Sequence, residues 1–131
     1  MPQLRISEAA ELLGVSVDTV RRMVDGGRLA PGKDGAGRRT VDAAALARLA
    51  QEVAAPAHVG PVREESARNR VRGLVTRVLK DTVMAQVEIQ AGPFRLVSLM
   101  SREAVDELGL DVGSVAIASI KSTHVVVGVP E

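Results

Sequence analysis

Cysteine is absent from the chain, which removes disulfide frameworks, thiol nucleophiles and thiolate zinc sites in one step. Phe94 is the only aromatic residue, so reading single-stranded nucleic acid by base stacking is excluded as a main binding mode. No apolar run approaches the roughly 18 residues of a membrane span, and the first eight residues lack a signal-peptide core. A soluble, cytoplasmic protein with no membrane partner is the expectation. An excess of one charge is missing too: 17 Lys and Arg stand against 16 Asp and Glu, a net charge of +1, so any DNA contact must come from local clustering. There is no Gly-x-x-x-x-Gly-Lys-[Ser/Thr] loop, no His-Glu-x-x-His and no nucleophile elbow. His58 and His124 stand alone without carboxylate partners, which gives no metal or acid–base site. The chain reads as a non-enzyme with no metal held directly by side chains.

What is present falls into two halves of different period. At 131 residues, two domains of about 55 and 65 residues would each lie near the lower limit for burying a core, so oligomerisation is expected. The first half is helical. Ser7 is placed to cap a helix with Ala9, Ala10, Leu12 and Leu13 on one side, and Gly14 to end it in a left-handed conformation. Ser16 caps a second helix, in which Val17, Val20 and Val24 recur at three and four residues and face inward. Two short helices joined by Gly14-Val15 form a helix-turn-helix candidate. Asp18, Thr19, Arg21 and Arg22 fall on the outer face of the second helix, with Ser16 at its start. Arginine reads guanine edges or neutralises phosphate, and a helix N-terminus adds N–H donors. Residues 30–41 read as two short extended pieces around a glycine-rich tip made basic by Lys33, Arg38 and Arg39. Asp42 is an N-cap for a closing helix with Leu46, Leu49 and Val53 on one stripe.

Residues 56–64 carry two prolines and a glycine without amphipathic period and read as a linker between domains 1–55 and 65–131. Beyond it the period becomes two. Val71–Leu79, Thr82–Ala91, Phe94–Met100, Val115–Ile120 and Val125–Val129 are expected strands, with a short helix capped by Ser101 and ended by Gly109 after the third. The fold class is α+β in two domains: a mostly α winged helix-turn-helix, then a five-stranded OB-like β-barrel with one short helix. Ser66-Ala67-Arg68-Asn69 opens the first strand, and Ile120-Lys121-Ser122-Thr123 closes the fourth. Each brings a cation and hydroxyls to a strand end. Brought together they would line a small, positively charged, hydroxyl-lined pocket of the kind that holds an anion.

The run Ser66-Ala67-Arg68-Asn69, Gly73, the helical stretch Ser101–Gly109 and Ile120-Lys121-Ser122-Thr123 together resemble the molybdate-binding Mop (molbindin, TOBE-type) domain. That resemblance implies molybdate or tungstate as the bound ligand, with no organic cofactor. It also implies oxyanion contacts from Ser66, Arg68, Ser101, Lys121 and Ser122, supplied by neighbouring subunits of a dimer or hexamer. Ser7–Ser16, Thr19-Val20-Arg21-Arg22 and Gly27-Arg28-Leu29 resemble the excisionase and MerR-type winged helix-turn-helix. This second likeness implies double-stranded DNA as partner, with Ser16, Thr19, Arg21, Arg22, Arg38 and Arg39 as its contacts. The joint expectation is a molybdate- or tungstate-responsive transcriptional regulator. Two alternatives stand beside it: an oxyanion store whose N-terminal domain is only a tether, and an excisionase-like DNA-bending accessory protein.

Overall fold

The computed structural model describes residues 3–55, 57–61 and 65–131. The chain divides into two compact units, Met1–Ala55 and Pro56–Glu131. Of the expected linker, residues 56 and 62–64 lie outside the described residues, and 57–61 hold no regular structure.

The first unit runs β1 (Gln3–Arg5), α1 (Ile6–Leu13), α2 (Val17–Asp25), β2 (Pro31–Lys33), β3 (Arg39–Asp42) and α3 (Ala43–Val53). In α1 the stripe that packs inward is Ile6, Ala9, Ala10 and Leu13, spaced as one helical face requires. Leu12 falls off that stripe and is 70% exposed, so the expected inward face was one residue too wide. The cap also lies earlier than expected. Arg5, not Ser7, occupies the N-cap position, because β1 runs straight into the helix and the Glu8 carboxylate reaches back to accept from the Arg5 backbone N–H. Gly14 does end α1 at φ 71°. Ser16 caps α2 by accepting from the Thr19 N–H at 3.1 Å, and Asp42 caps α3 by accepting from the Ala45 N–H at 2.9 Å. Val20, Val24, Leu29, Val41, Leu46 and Leu49 complete the core. The two wing strands pair as expected, but β1 adds a third, giving the order β1-β3-β2.

The second unit runs β4 (Asn69–Lys80), β5 (Met84–Ala91), β6 (Phe94–Ser101), α4 (Arg102–Leu108) and β7 (Val115–Ile120), then a 3-10 turn at Ser122–His124. All pairings are antiparallel, in the order β6-β5-β4-β7. Val75, Ala85, Val87 and Ile89 face inward onto Val105 of α4, which alternation in the strands allows. The expected five-stranded barrel is instead a curled sheet of four strands. Val125–Val129 forms no strand among the described residues: the chain turns at Ser122–His124 and runs on with Val126, Val127 and Val129 at 93%, 85% and 91% exposure. A β-prone sequence makes a strand only where an edge receives it, and within one chain this segment meets none. The open side of the curl is an apolar hollow of about 520 Å³, lined by residues that include Val87, Leu96, Met100, Ala116 and Ala118.

β4 is shared. Its residues Asn69–Leu74 pair with β7, and Leu74–Lys80 pair with β5. At the hand-over, a Cβ on Gly73 would lie 2.5 Å from the Gln90 carbonyl oxygen and 2.9 Å from Ile89 Cγ2. Backbone cannot yield as a flexible side chain does. Gly73→Ala should therefore destabilise the second unit by about 1–3 kcal/mol, the usual cost of overpacking, whereas Gly128→Ala, with open space around it, should be neutral. Thermal melting followed by circular dichroism separates the two; equal melting temperatures would show that the sheet tolerates the extra methyl.

Candidate functional site

The β4–β7 ladder ends where the two hydroxyl- and cation-bearing segments meet. Asn69 is the register partner of Ile120, and the Asn69 side-chain amide donates to the Ile120 carbonyl at 3.1 Å. That bond ties Ser66–Arg68 on one side to Lys121–Ser122 on the other. The turn before β4 is held from within. Ala67 is buried, and Arg70 donates to the Glu65 carboxylate at 3.1 Å and to the Ala67 carbonyl at 3.3 Å. The nearby acid is thus neutralised by its own arginine. Arg68 donates to the Glu65 and Ser66 carbonyls only at 3.4 Å each, long bonds that a better acceptor displaces readily. Ser66, Arg68, Lys121 and Ser122 are all exposed. After Lys121 the 3-10 turn leaves its first N–H groups without intrahelical acceptors.

Ser101 lies elsewhere. It is the register partner of Met84 at the far end of β5, next to the end of β4 at Lys80. Asn69 and Lys80 bound a strand of 12 residues, roughly 35 to 40 Å of extended chain. One chain therefore brings together four of the five expected oxyanion contacts and holds the fifth at the opposite end of the sheet. There Ser101 accepts from the Ala104 N–H at 3.1 Å as the α4 cap. Around it, Asp106 meets Lys80 at 2.8 Å and Arg102 at 3.6 Å. Asp81 accepts from the Val83 and Met84 N–H groups at 2.7 and 2.6 Å, and Arg102 donates to the Asp81 carbonyl. Neither the Asn69 bond nor the Asp81 and Asp106 anchors were expected from sequence. The first needs the strand register to be known, whereas Asp81 two and three residues before the N–H groups that donate to it is a turn signal visible in the chain.

On the first unit, Ser16 and Thr19 share a hydroxyl–hydroxyl hydrogen bond of 2.8 Å. Arg21 contacts Asp18 at 3.4 Å, Arg38 contacts Asp34 at 2.9 Å and Arg39 contacts Asp25 at 3.1 Å. Arg22 projects from the side of α2 opposite Val20 and Val24, as 100° per residue dictates. The structure brings Arg39 and α2 together through Asp25, and leaves Arg22 without a carboxylate partner among the described residues. Thr40 points into the core, where its hydroxyl donates to the Gln3 side chain.

Residues 65–127 match the TOBE domain family, and residues 4–54 match the helix-turn-helix domain family. Molybdenum-pterin-binding proteins 1 and 2 of Clostridium pasteurianum are each 38% identical over 63 residues, covering 47% of this chain and 93% of theirs. The chain belongs to the TOBE-domain family. Within that half, the cytoplasmic molybdate-binding protein ModG, solved with molybdate bound, matches at 38% identity and a TM-score of 0.50, over 51% of this chain and 48% of its own. The fusion of a helix-turn-helix unit to a TOBE unit distinguishes this chain from the Clostridium relatives, whose matched length accounts for about half of it.

Two carboxyl groups of the TOBE unit are held below the usual aspartate range. For Asp106 the main cause is the Lys80 hydrogen bond, and for Asp81 it is the Met84 N–H followed by that of Val83. A depressed folded-state value stabilises the fold above the unfolded value, near 3.9 for aspartate, and the benefit is lost as pH falls through the folded value. The melting temperature of the TOBE unit should thus drop as pH is lowered from about 5 toward 3. Asp81→Asn should melt lower at neutral pH and show a shallower acid dependence. Identical pH curves for the two proteins would remove Asp81 from this account.

Proposed function

We propose that this protein is a molybdate- or tungstate-responsive DNA-binding regulator, the oxyanion bound between TOBE units and the helix-turn-helix units reading duplex DNA. The observation that carries this reading is the meeting of Ser66–Arg68 with Lys121–Ser122 across the Asn69–Ile120 bond. The pair of segments offers two cations and two hydroxyls, and the nearby Glu65 carboxylate is already paired with Arg70. Such a set suits a small dianion. Ser101 at the far end of the sheet supports a site completed by a second copy, whose own Ser101 would supply the fifth donor.

The same reading accounts for the exposed apolar surface. The open hollow, the two edge strands β6 and β7, and the bare valines after His124 are what an assembling subunit would show, since contiguous apolar exposure marks interaction surfaces. Ion binding and assembly are then linked: an oxyanion held between copies stabilises the assembled form by mass action. A hundredfold preference for one arrangement of copies supplies about 2.7 kcal/mol of bias. The storage reading differs in one respect, because a store would bind DNA equally with and without the ion.

Isothermal titration of oxyanion-free protein with molybdate, with sulfate as competitor, tests the site. Lys121→Ala removes a charge-assisted donor and should weaken binding by about tenfold or more, since such bonds contribute about 1.5–3 kcal/mol. Absence of binding heat in the wild type, together with an unchanged melting temperature, would sink the oxyanion reading. Fluorescence anisotropy of labelled duplex DNA, with and without molybdate, then separates regulator from store.

A further inference from the structure

The cations of α2, the wing and the turn between them, some of them expected DNA contacts and others (Arg28, Lys33) not, divide into two groups by what already holds them. Arg38 meets Asp34 twice, through its backbone N–H and its side-chain Nε, with the rest of the guanidinium exposed. One carboxylate oxygen accepts from the Ala36 and Arg38 backbone N–H groups, each at 2.9 Å, and the other accepts from Arg38 Nε at 2.9 Å. The Arg38 backbone bond is the leading cause that holds the Asp34 carboxyl below the usual range, so it is charged at neutral pH. Asp34 and Arg38 therefore form the frame of the wing tip. Arg39 starts β3 and reaches 14 residues back along the chain to Asp25, the last residue of α2, with Nη2 to Oδ1 at 3.1 Å. An aspartate at a helix C-terminus faces the negative end of the helix dipole. The Arg39 guanidinium offsets both, and by doing so links the wing to the end of the recognition helix.

Arg22, Arg28 and Lys33 are different. All three are exposed, and among the described residues none contacts a carboxylate. Arg22 leaves the outer side of α2, Arg28 follows that helix with its N–H bonded to the Met23 carbonyl at 2.9 Å, and Lys33 ends β2 opposite Arg39. A phosphate offered to this surface meets these three without first breaking an ion pair, while at Arg38 and Arg39 it also meets the repulsion of Asp34 and Asp25.

We propose that Arg38 and Arg39 are positioning residues that shape the wing and fasten it to α2, and that Arg22, Arg28 and Lys33 make the phosphate contacts. This rests on the reading of the unit as a DNA-binding head and assigns roles within it.

The two roles predict opposite signs for one substitution. If Arg39 is a brace, Asp25→Asn releases it and weakens DNA binding. If Arg39 contacts phosphate, Asp25→Asn removes a competing anion and strengthens binding. The experiment is anisotropy of the full-length protein with a labelled mixed-sequence duplex across a salt series, with melting curves to verify folding. Asp25→Asn and Arg39→Ala should each weaken binding about fivefold with the salt slope unchanged, and the double variant should be no weaker than either single one. Arg22→Ala, Arg28→Ala and Lys33→Ala should each reduce the salt slope by about 0.9, the value of one released phosphate contact. Should a single variant melt below the assay temperature, Arg39→Lys gives the same reading, since it keeps the charge and loses the planar fork: weakened binding supports the brace, and unchanged binding opposes it. Tighter binding by Asp25→Asn, or a slope lowered only by Arg38→Ala and Arg39→Ala, overturns the assignment. Failure of the wild type to bind any duplex would instead reject the DNA-binding reading on which it rests.

Discussion

At Gly73 the backbone of β4 passes the Gln90 carbonyl with no room for a side chain, and the Asn69–Ile120 end of the TOBE unit's sheet depends on that passage. Before it, β4 pairs only with β7; after it, only with β5, with Leu74 common to both ladders. A side chain at this point would push β4 away from the end of β5. The displacement would carry to Asn69, whose amide closes the ladder on Ile120. Small errors matter there, because a hydrogen bond weakens steeply with misalignment. The glycine therefore acts at a distance from the Asn69–Ile120 bond it positions.

The geometry of a single subunit also limits what it can do alone. Four of the expected donors sit at one end of the sheet and Ser101 at the other, separated by the whole length of β4. No side-chain rearrangement spans a strand of 12 residues, so the five-donor shell proposed above is built from two copies. The apolar hollow and the exposed valines point the same way, since four strands with one short helix leave a core open to water. A small domain that cannot close its own core gains stability by association. In the proposed arrangement, donors at opposite ends tie that association to ligand binding.

Much of this was legible in the chain where the cause is local. Ser16, Asp42 and Ser101 read as N-caps because each stands immediately before a helical run, and each accepts from an N–H three residues on. Gly14 and Gly109 read as helix ends and adopt φ 71° and 63°. Strands β4 to β7 were visible from alternation. What escaped reading depends on partners distant in sequence. β1 is three residues long, too short for a period, and exists because β3 offers it an edge. Val125–Val129 carries every local mark of a strand and lacks only a neighbour. The far placement of Ser101 follows from register across three strands, which no window of sequence encodes. Gly73 was legible as a glycine, but the carbonyl it accommodates lies 17 residues further along the chain.

The ion pairs of the helix-turn-helix unit fit its charge. Residues 1–55 hold eight Lys and Arg against seven Asp and Glu, too small an excess to bind DNA by net attraction. Recognition by such a unit has to come from where the cations stand. Exposed ion pairs contribute little to stability, about 0–1 kcal/mol each, so Asp25 and Asp34 are weak choices if their purpose is to stabilise the fold. They are better choices for fixing two loops in one geometry, because each ties a wing residue to a second point: Arg39 to the end of α2, Arg38 to the turn beneath it. Holding the wing costs the unit two of its cations. A low net charge restrains adherence to arbitrary DNA, and in the proposed assignment affinity rests on the few cations left unpaired. Under the proposed regulatory function that balance suits a head whose occupancy changes with a bound ion, since a head held tightly by charge alone would stay on DNA in either state.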